Sequence, residues 1–175
     1  MKQLRNTGLK RFLRSEKKKL SDKAEIIFLL FSVDYQANLG SLFRDADGIG
    51  AKKIYLTGGT IEPEGHIFEK VARYKHRVVD WEKVRDPNQV IIDLKKDGFK
   101  IVAVEITDKS VRFDKYKYKN KLCLVMGNEG HGLPDKILNQ CDAAVFIPMI
   151  GKGMSLNVST SAAIVGFAAK MIIDG

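Results

Sequence analysis

Six short apolar runs rich in β-favouring residues punctuate the chain: EIIFLLFS at 25–32, KIYLT at 53–57, RVVDW at 77–81, FKIVAVE at 99–105, KLCLVM at 121–126 and AAVFI at 143–147. Most are continuous rather than alternating, which marks strands buried on both faces. Between most of them apolar residues recur at helical spacing, predicting helices over roughly 38–49, 65–74, 87–97 and 134–140. A last helix, apolar nearly all round, is predicted at about 156–173. Gly50 and Gly98 fall just beyond two of these helices, where a helix-ending glycine belongs. Strands alternating with helices imply an α/β fold, a mainly parallel sheet with helices on both faces. Ligands of such sheets gather at the carboxyl ends of the strands. The turns after Ser32, Glu105, Met126 and Ile147 are therefore expected to share one edge.

Length and composition narrow this picture. At 175 residues with 45% apolar content, the chain is long enough for one domain with one substantial core. No apolar run approaches the roughly 20 residues a membrane helix needs, and the basic N-terminus lacks the apolar stretch of a secretory signal. A cytoplasmic protein without a membrane partner is expected. Cys123 and Cys141 lie in or beside core elements and read as free thiols rather than a disulfide. His66, His76 and His131 have no paired spacing, so no metal is expected.

Charge changes the picture more. The net charge is +9, and residues 1–25 hold nine basic against three acidic side chains. The chain divides into a basic N-terminal helix or arm at 1–24 and a domain at 25–175. A basic balance of this size points to a polyanionic partner or, equally, to a solvated helix face. The segment KSVRFDKYKYKNK at 109–121 interleaves Phe113, Tyr116 and Tyr118 with six basic residues. It suits nucleic-acid contact, or is a solvated connection between strands.

Three turns carry unusual residues. After the first strand comes Asn38-Leu-Gly-Ser-Leu-Phe-Arg44, where Asn38 is placed to cap a helix. Read alone, Arg44 is most simply a solvated residue pairing with Asp45 or Asp47. The second turn, Leu124-Val-Met-Gly-Asn-Glu129-Gly-His-Gly-Leu-Pro134, runs from a buried strand into glycines that permit close backbone approach. It matches neither the dinucleotide fingerprint nor the phosphate loop, and Glu129 there reads as a functional carboxylate or a helix N-terminal one. The third, IPMIGKGMSLNVS from Ile147, places Ser155 and Asn157 where one of them caps the last helix. One cap does not require both.

Taken together and in this order, the three turns resemble the SpoU (TrmH-type) branch of the SPOUT RNA methyltransferases. The likeness spans about residues 25–173, as N-x-G-x-x-x-R at Asn38–Arg44, L-V-M-G-N-E-G-x-G-L at Leu124–Leu133 and I-P-M-x-G-x-x-x-S-L-N-V at Ile147–Val158. The wording of the third turn is most similar to that of tRNA guanosine ribose methyltransferases.

This resemblance implies an α/β knot, in which the C-terminal segment threads a loop as a deep trefoil, and a homodimer with its active site at the subunit interface. It implies S-adenosylmethionine as cofactor, held at Val104, Glu105, Ile106, Gly127, Ile147, Met149 and Leu156. Asn38, Arg44, Glu129, Ser155 and Asn157 occupy the family's catalytic positions. The implied reaction moves a methyl to a ribose 2′-hydroxyl of RNA, tRNA being favoured over rRNA. Two other readings compete. A non-catalytic knotted RNA-binding protein is disfavoured by the intact set of catalytic positions, and a methyltransferase acting on a small molecule or protein is disfavoured by the charge.

Overall fold

The computed structural model describes residues 3–19 and 23–175, so residues 1, 2 and 20–22 of the basic arm lie outside the described residues. Seven strands form one sheet: β1 (Glu25–Phe31), β2 (Lys53–Thr57), β3 (Trp81–Val84), β4 (Lys100–Val104), β5 (Val111–Arg112), β6 (Lys121–Met126) and β7 (Ala143–Phe146). Their order is β3-β2-β1-β6-β4-β7-β5, and every pairing between them is parallel. The continuous apolar runs sit at the centre, where β1 and β6 are buried on both faces as their composition requires.

Alternate residues of β1 feed two apolar layers. Ile26, Phe28 and Leu30 point to one face, covered by α2 (Gln36–Ile49), α3 (His66–Ala72) and α6 (Val158–Asp174). Ile27 and Leu29 point to the other, covered by α4 (Pro87–Lys96) and the short α5 (Asp135–Leu138). The basic arm contributes α1 (Asn6–Lys19), on which Leu9, Phe12 and Leu13 are exposed. No helix among the described residues is long and apolar enough to cross a membrane.

Local chemistry explains several helix ends. Asp86 caps α4 by accepting from Asn88 N, with Pro87 in the first turn, where its missing N–H costs no hydrogen bond. Gly50 ends α2 in the left-handed conformation at φ 74°, and Gly98 follows α4 at φ 84°.

Several predicted elements move. The run at 77–81 is not a strand: Lys75–Arg77 form a 3-10 turn, and β3 begins at Trp81. Val79 is buried and Val78 exposed, so this β-branched pair packs a turn rather than a ladder. The helix predicted at 134–140 shrinks to four residues, and β5, only two residues long, went unpredicted. The aromatics of 109–121 turn inward. Tyr118 is buried and donates its hydroxyl to Phe113 O at 2.9 Å, with Tyr116 edge-on at 5.0 Å, while Arg112 is held bidentately by Asp114. The rings serve the core, which favours the connecting-segment reading.

Both cysteines are free. Burial raises the Cys123 thiol well above its ordinary range and pushes Cys141 up to about 12, so neither is a thiolate at neutral pH.

Candidate cofactor pocket and catalytic cluster

The turns at the carboxyl edge hold one another through side chains. At the end of β1, Ser32 adopts φ 56°, and its carbonyl accepts from Asn128 Nδ2 at 2.8 Å. The next residue, Val33, donates its N–H to the buried Thr60 hydroxyl at 3.2 Å. These bonds fix the segment that feeds α2.

The glycine turn after β6 closes on itself. Asn128 and Gly132 exchange backbone hydrogen bonds of 3.2 and 2.9 Å. A Cβ on Gly127 would lie 2.5 Å from the Gly132 carbonyl carbon, so no larger residue closes this turn. Asn128 Oδ1 accepts from Gly130 N (2.9 Å) and His131 N (3.0 Å), leaving its side chain fully engaged in structure. The Glu105 carboxylate, just past β4, accepts from Leu133 N at 3.1 Å and Ile106 N at 3.0 Å, locking the glycine turn to the neighbouring strand.

These turns enclose a cavity of about 420 Å³. Val104, Glu105, Ile106, Gly127, Ile147, Met149 and Leu156 all line it, as do Glu129 and Ser155. Leu138, Val145 and Met154 add apolar wall, and among the described residues no Lys or Arg is present in the lining. A mixed apolar and carboxylate wall of this size fits a small organic cation such as a sulfonium nucleoside.

At its rim a second recess brings Asn38, Glu129, Ser155 and Asn157 together beside Tyr35. Asn38 Nδ2 donates to Glu129 Oε1 at 2.7 Å, and Asn157 Nδ2 donates to Asn38 Oδ1 at 2.7 Å. Asn38 does not cap α2; the helix begins two residues earlier after Tyr35, which makes no side-chain cap, leaving the Asn38 amide to face Glu129. Glu129 does sit near a helix N-terminus, that of α2 rather than of its own segment, with Asp34 N 3.5 Å from Oε2. Asn157 is the cap of α6, its Oδ1 accepting from Ser159 N and Thr160 N. It is thus both a cap and a cluster member. Ser155 is exposed and makes no hydrogen bond among the described residues.

Arg44 is not brought to the cavity. It is exposed, about 9 Å further along α2 than Asn38 at 1.5 Å per residue. It forms no ion pair among the described residues; Asp47, one of its expected partners, is held instead by Lys75 at 2.7 Å. Burial pushes the carboxyl of Asp45, the other, up to about 6 against the opposing pull of the Arg44 charge.

Glu105 was among the expected cofactor positions and Asn128 lies inside the second motif, but the bonds that make their side chains structural were not legible from spacing. The available signal was a carboxylate directly after a strand at the ligand-binding edge.

The fold and its acid-lined pocket at the carboxyl edge accommodate such a cofactor, and similarity to known proteins gives the class: an S-adenosylmethionine-dependent RNA methyltransferase of the SpoU type. The family model "SpoU rRNA Methylase family" matches residues 25–167, and the chain belongs to that family. It is 31% identical over 146 residues to a tRNA (guanosine(18)-2′-O)-methyltransferase of Aquifex aeolicus, covering 83% of this chain and 69% of that enzyme. The crystal structure of the A. aeolicus TrmH/SpoU tRNA modifying enzyme superposes with a TM-score of 0.78 at 29% identity, covering 94% of this chain and 83% of that one. An AdoMet-bound rRNA methyltransferase from Sinorhizobium meliloti gives a TM-score of 0.77 at 26% identity, over 84% of this chain and 56% of that one.

Proposed function

We propose that this protein transfers a methyl group from S-adenosylmethionine to a ribose 2′-hydroxyl of tRNA, acting in the cytoplasm as a homodimer. The observation that carries the reading is the joining of three distant turns through Asn38 at the rim of an acid-lined cavity. The Aquifex match and the Escherichia coli relative, named for tRNA, favour tRNA over rRNA.

The cofactor supplies an electrophilic methyl on a sulfonium; the chain supplies its place and the handling of charge. Backbone at Val104–Ile106, Gly127 and Ile147 would hold it, with Met149 and Leu156 as apolar wall. Arg44 grips the phosphate beside the target ribose and stabilises negative charge as it develops on the 2′-oxygen. A guanidinium stays protonated in proteins, so Arg44 is not the base. Glu129 accepts the hydroxyl proton or orients the hydroxyl, and Asn38 and Asn157 fix Glu129 through the two 2.7 Å bonds. Ser155 steadies the third turn.

Because Arg44 lies away from its own cavity, a second copy completes the site. Ile150, Met154, Met149 and Ile106 are exposed around the cavity, and such a face suits a subunit interface. We infer that the segment from Ile147 onward is the threaded part of a trefoil knot. The basic arm at 1–24 would add phosphate contacts.

The direct test is mapping of 2′-O-methyl sites in tRNA and rRNA from cells with and without the gene. One methyl lost from tRNA is expected, and unchanged maps in both RNAs refute the activity. Calorimetric binding of S-adenosylmethionine separates the enzyme from a non-catalytic RNA-binding protein, which would bind none.

A further inference from the structure

Residues 73–77 form an aromatic and basic surface, with Arg73, Tyr74 and Arg77 exposed and Lys75 and His76 half-buried, to which nothing above assigns a role. We propose that Tyr74, backed by Arg77, is a stacking platform for an unpaired base of the substrate RNA, alongside Arg44. The proposal rests on the RNA reading given above and adds a specific subsite to it.

Tyr74 is 61% exposed, yet it is not on a loose loop. The 3-10 turn that follows is anchored by Arg77 N to Tyr74 O (3.0 Å), by Lys75 on Asp47 (2.7 Å), by the His76 ring 5.2 Å from Phe68 and by buried Val79. Arg73 and Tyr74 both adopt left-handed backbone, at φ 48° and 63°, and are the only two adjacent non-glycine residues with positive φ among the described residues. Side chains disfavour that conformation, and it persists where the surroundings impose it. Here it holds the Tyr74 ring out in solvent.

One neighbour of the ring is a cation. The Arg77 guanidinium lies 5.1 Å from the Tyr74 ring centroid. Arg44, Arg73 and Arg77 form no close ion pair among the described residues, Arg44 acting on Asp45 only through its charge, which leaves their guanidinium hydrogen bonds for phosphates. An aromatic face backed by guanidinium suits a nucleobase, because every base offers a π face and the linked phosphates need cations. A protein partner would favour apolar surroundings, and only Val78 beside the turn is apolar and exposed.

Position along α2 links this surface to the reaction. Gly40 packs closely on α3, where an added Cβ would lie 3.0 Å from Phe68 O, and Asp47 binds Lys75 of the turn. Arg44 lies four residues after Gly40 and three before Asp47, on the same helix face. The platform therefore flanks the residue proposed to grip the target phosphate.

The test compares the full-length wild type with Tyr74→Ala and Tyr74→Phe, using a pool of unmodified tRNA transcripts and labelled S-adenosylmethionine. Tyr74→Ala is expected to raise KM for RNA about tenfold or more, leaving cofactor affinity unchanged. Tyr74→Phe should stay within about twofold of wild type, since phenylalanine stacks equally well. Tyr74→Gly should keep or raise Tm, because glycine accepts the positive φ, while weakening RNA use as alanine does. Equal KM for Tyr74→Ala and wild type overturns the platform. So does a Phe variant as impaired as the Ala variant, which would assign the effect to the hydroxyl. A wild type that binds the cofactor but methylates no transcript overturns the tRNA reading instead. The variants are then compared by anisotropy on a labelled single-stranded RNA oligonucleotide, where equal affinity of wild type and Tyr74→Ala overturns the platform by itself.

Discussion

The Asn38 side chain donates to Glu129 and accepts from Asn157, each at 2.7 Å, so one amide joins residues 91 and 119 positions away in sequence. Both ends of the amide are used, which fixes its orientation. A carboxylate held this way keeps a fixed orientation toward whatever enters the recess.

Asn157 does two jobs that substitution separates. Asn157→Ala removes the α6 cap, costing about 1 kcal/mol, or about 2–4 °C in Tm, and also the bond to Asn38. Asn157→Asp keeps the cap oxygen but loses the donor. Thermal melts should show a drop only for alanine, while methyl-transfer assays should show at least a tenfold loss for both. Full activity of Asn157→Asp would remove the Asn157–Asn38 bond from the mechanism.

Arg44 lines neither recess. Arg44→Ala should therefore leave calorimetric S-adenosylmethionine affinity unchanged while methyl transfer falls by about two orders of magnitude or more. If the site is shared between two copies as proposed, mixing it with a Glu129→Ala chain should restore part of the activity, because a mixed dimer would hold one site with both residues intact. No restoration would place Arg44 and Glu129 of the same chain in one site.

Glu105 acts through the glycine turn. Glu105→Ala leaves Leu133 N and Ile106 N without their acceptor, and charged hydrogen bonds of this kind contribute about 1.5–3 kcal/mol. Cofactor affinity should fall about tenfold or more, read by calorimetry. The RNA affinity of the apoprotein, read by anisotropy, should change little.

Asp45 predicts a pH dependence of stability. Its carboxyl titrates near 6 when folded, above its ordinary value of 3.8, because burial disfavours the charge. The folded state thus binds more protons than the unfolded state between those values, and stability falls as pH rises through that window. Asp45→Asn should raise Tm at pH 7.5 and leave it unchanged near pH 3. An equal gain at both pH values would show that the ionisation of Asp45 is not the cause.

The central strands were legible because residues such as Leu122–Met126 are buried on both faces and so are continuously apolar. The edges were not. β3 carries Glu82 and Lys83 on an exposed edge, so Val78–Val79 offered a stronger but misleading signal. The site residues were found as members of motifs, while their roles depended on contacts between distant segments. Nothing near Asn38 reveals that its partners are Glu129 and Asn157, and spacing alone made it a helix cap. Glu105 was expected at the cofactor, but the tie of its side chain to Leu133 was hidden for the same reason.

The Asn157–Asn38 bond also sets an order of events during synthesis. Asn38 leaves the ribosome early and meets Glu129 only after β6 is made, and neither is braced until Asn157 has emerged and α6 has started. Contacts this distant in sequence form late in folding. An incomplete chain therefore carries its basic N-terminal residues well before the cluster is complete, and truncation anywhere upstream of Asn157 removes both the α6 cap and the brace on Asn38.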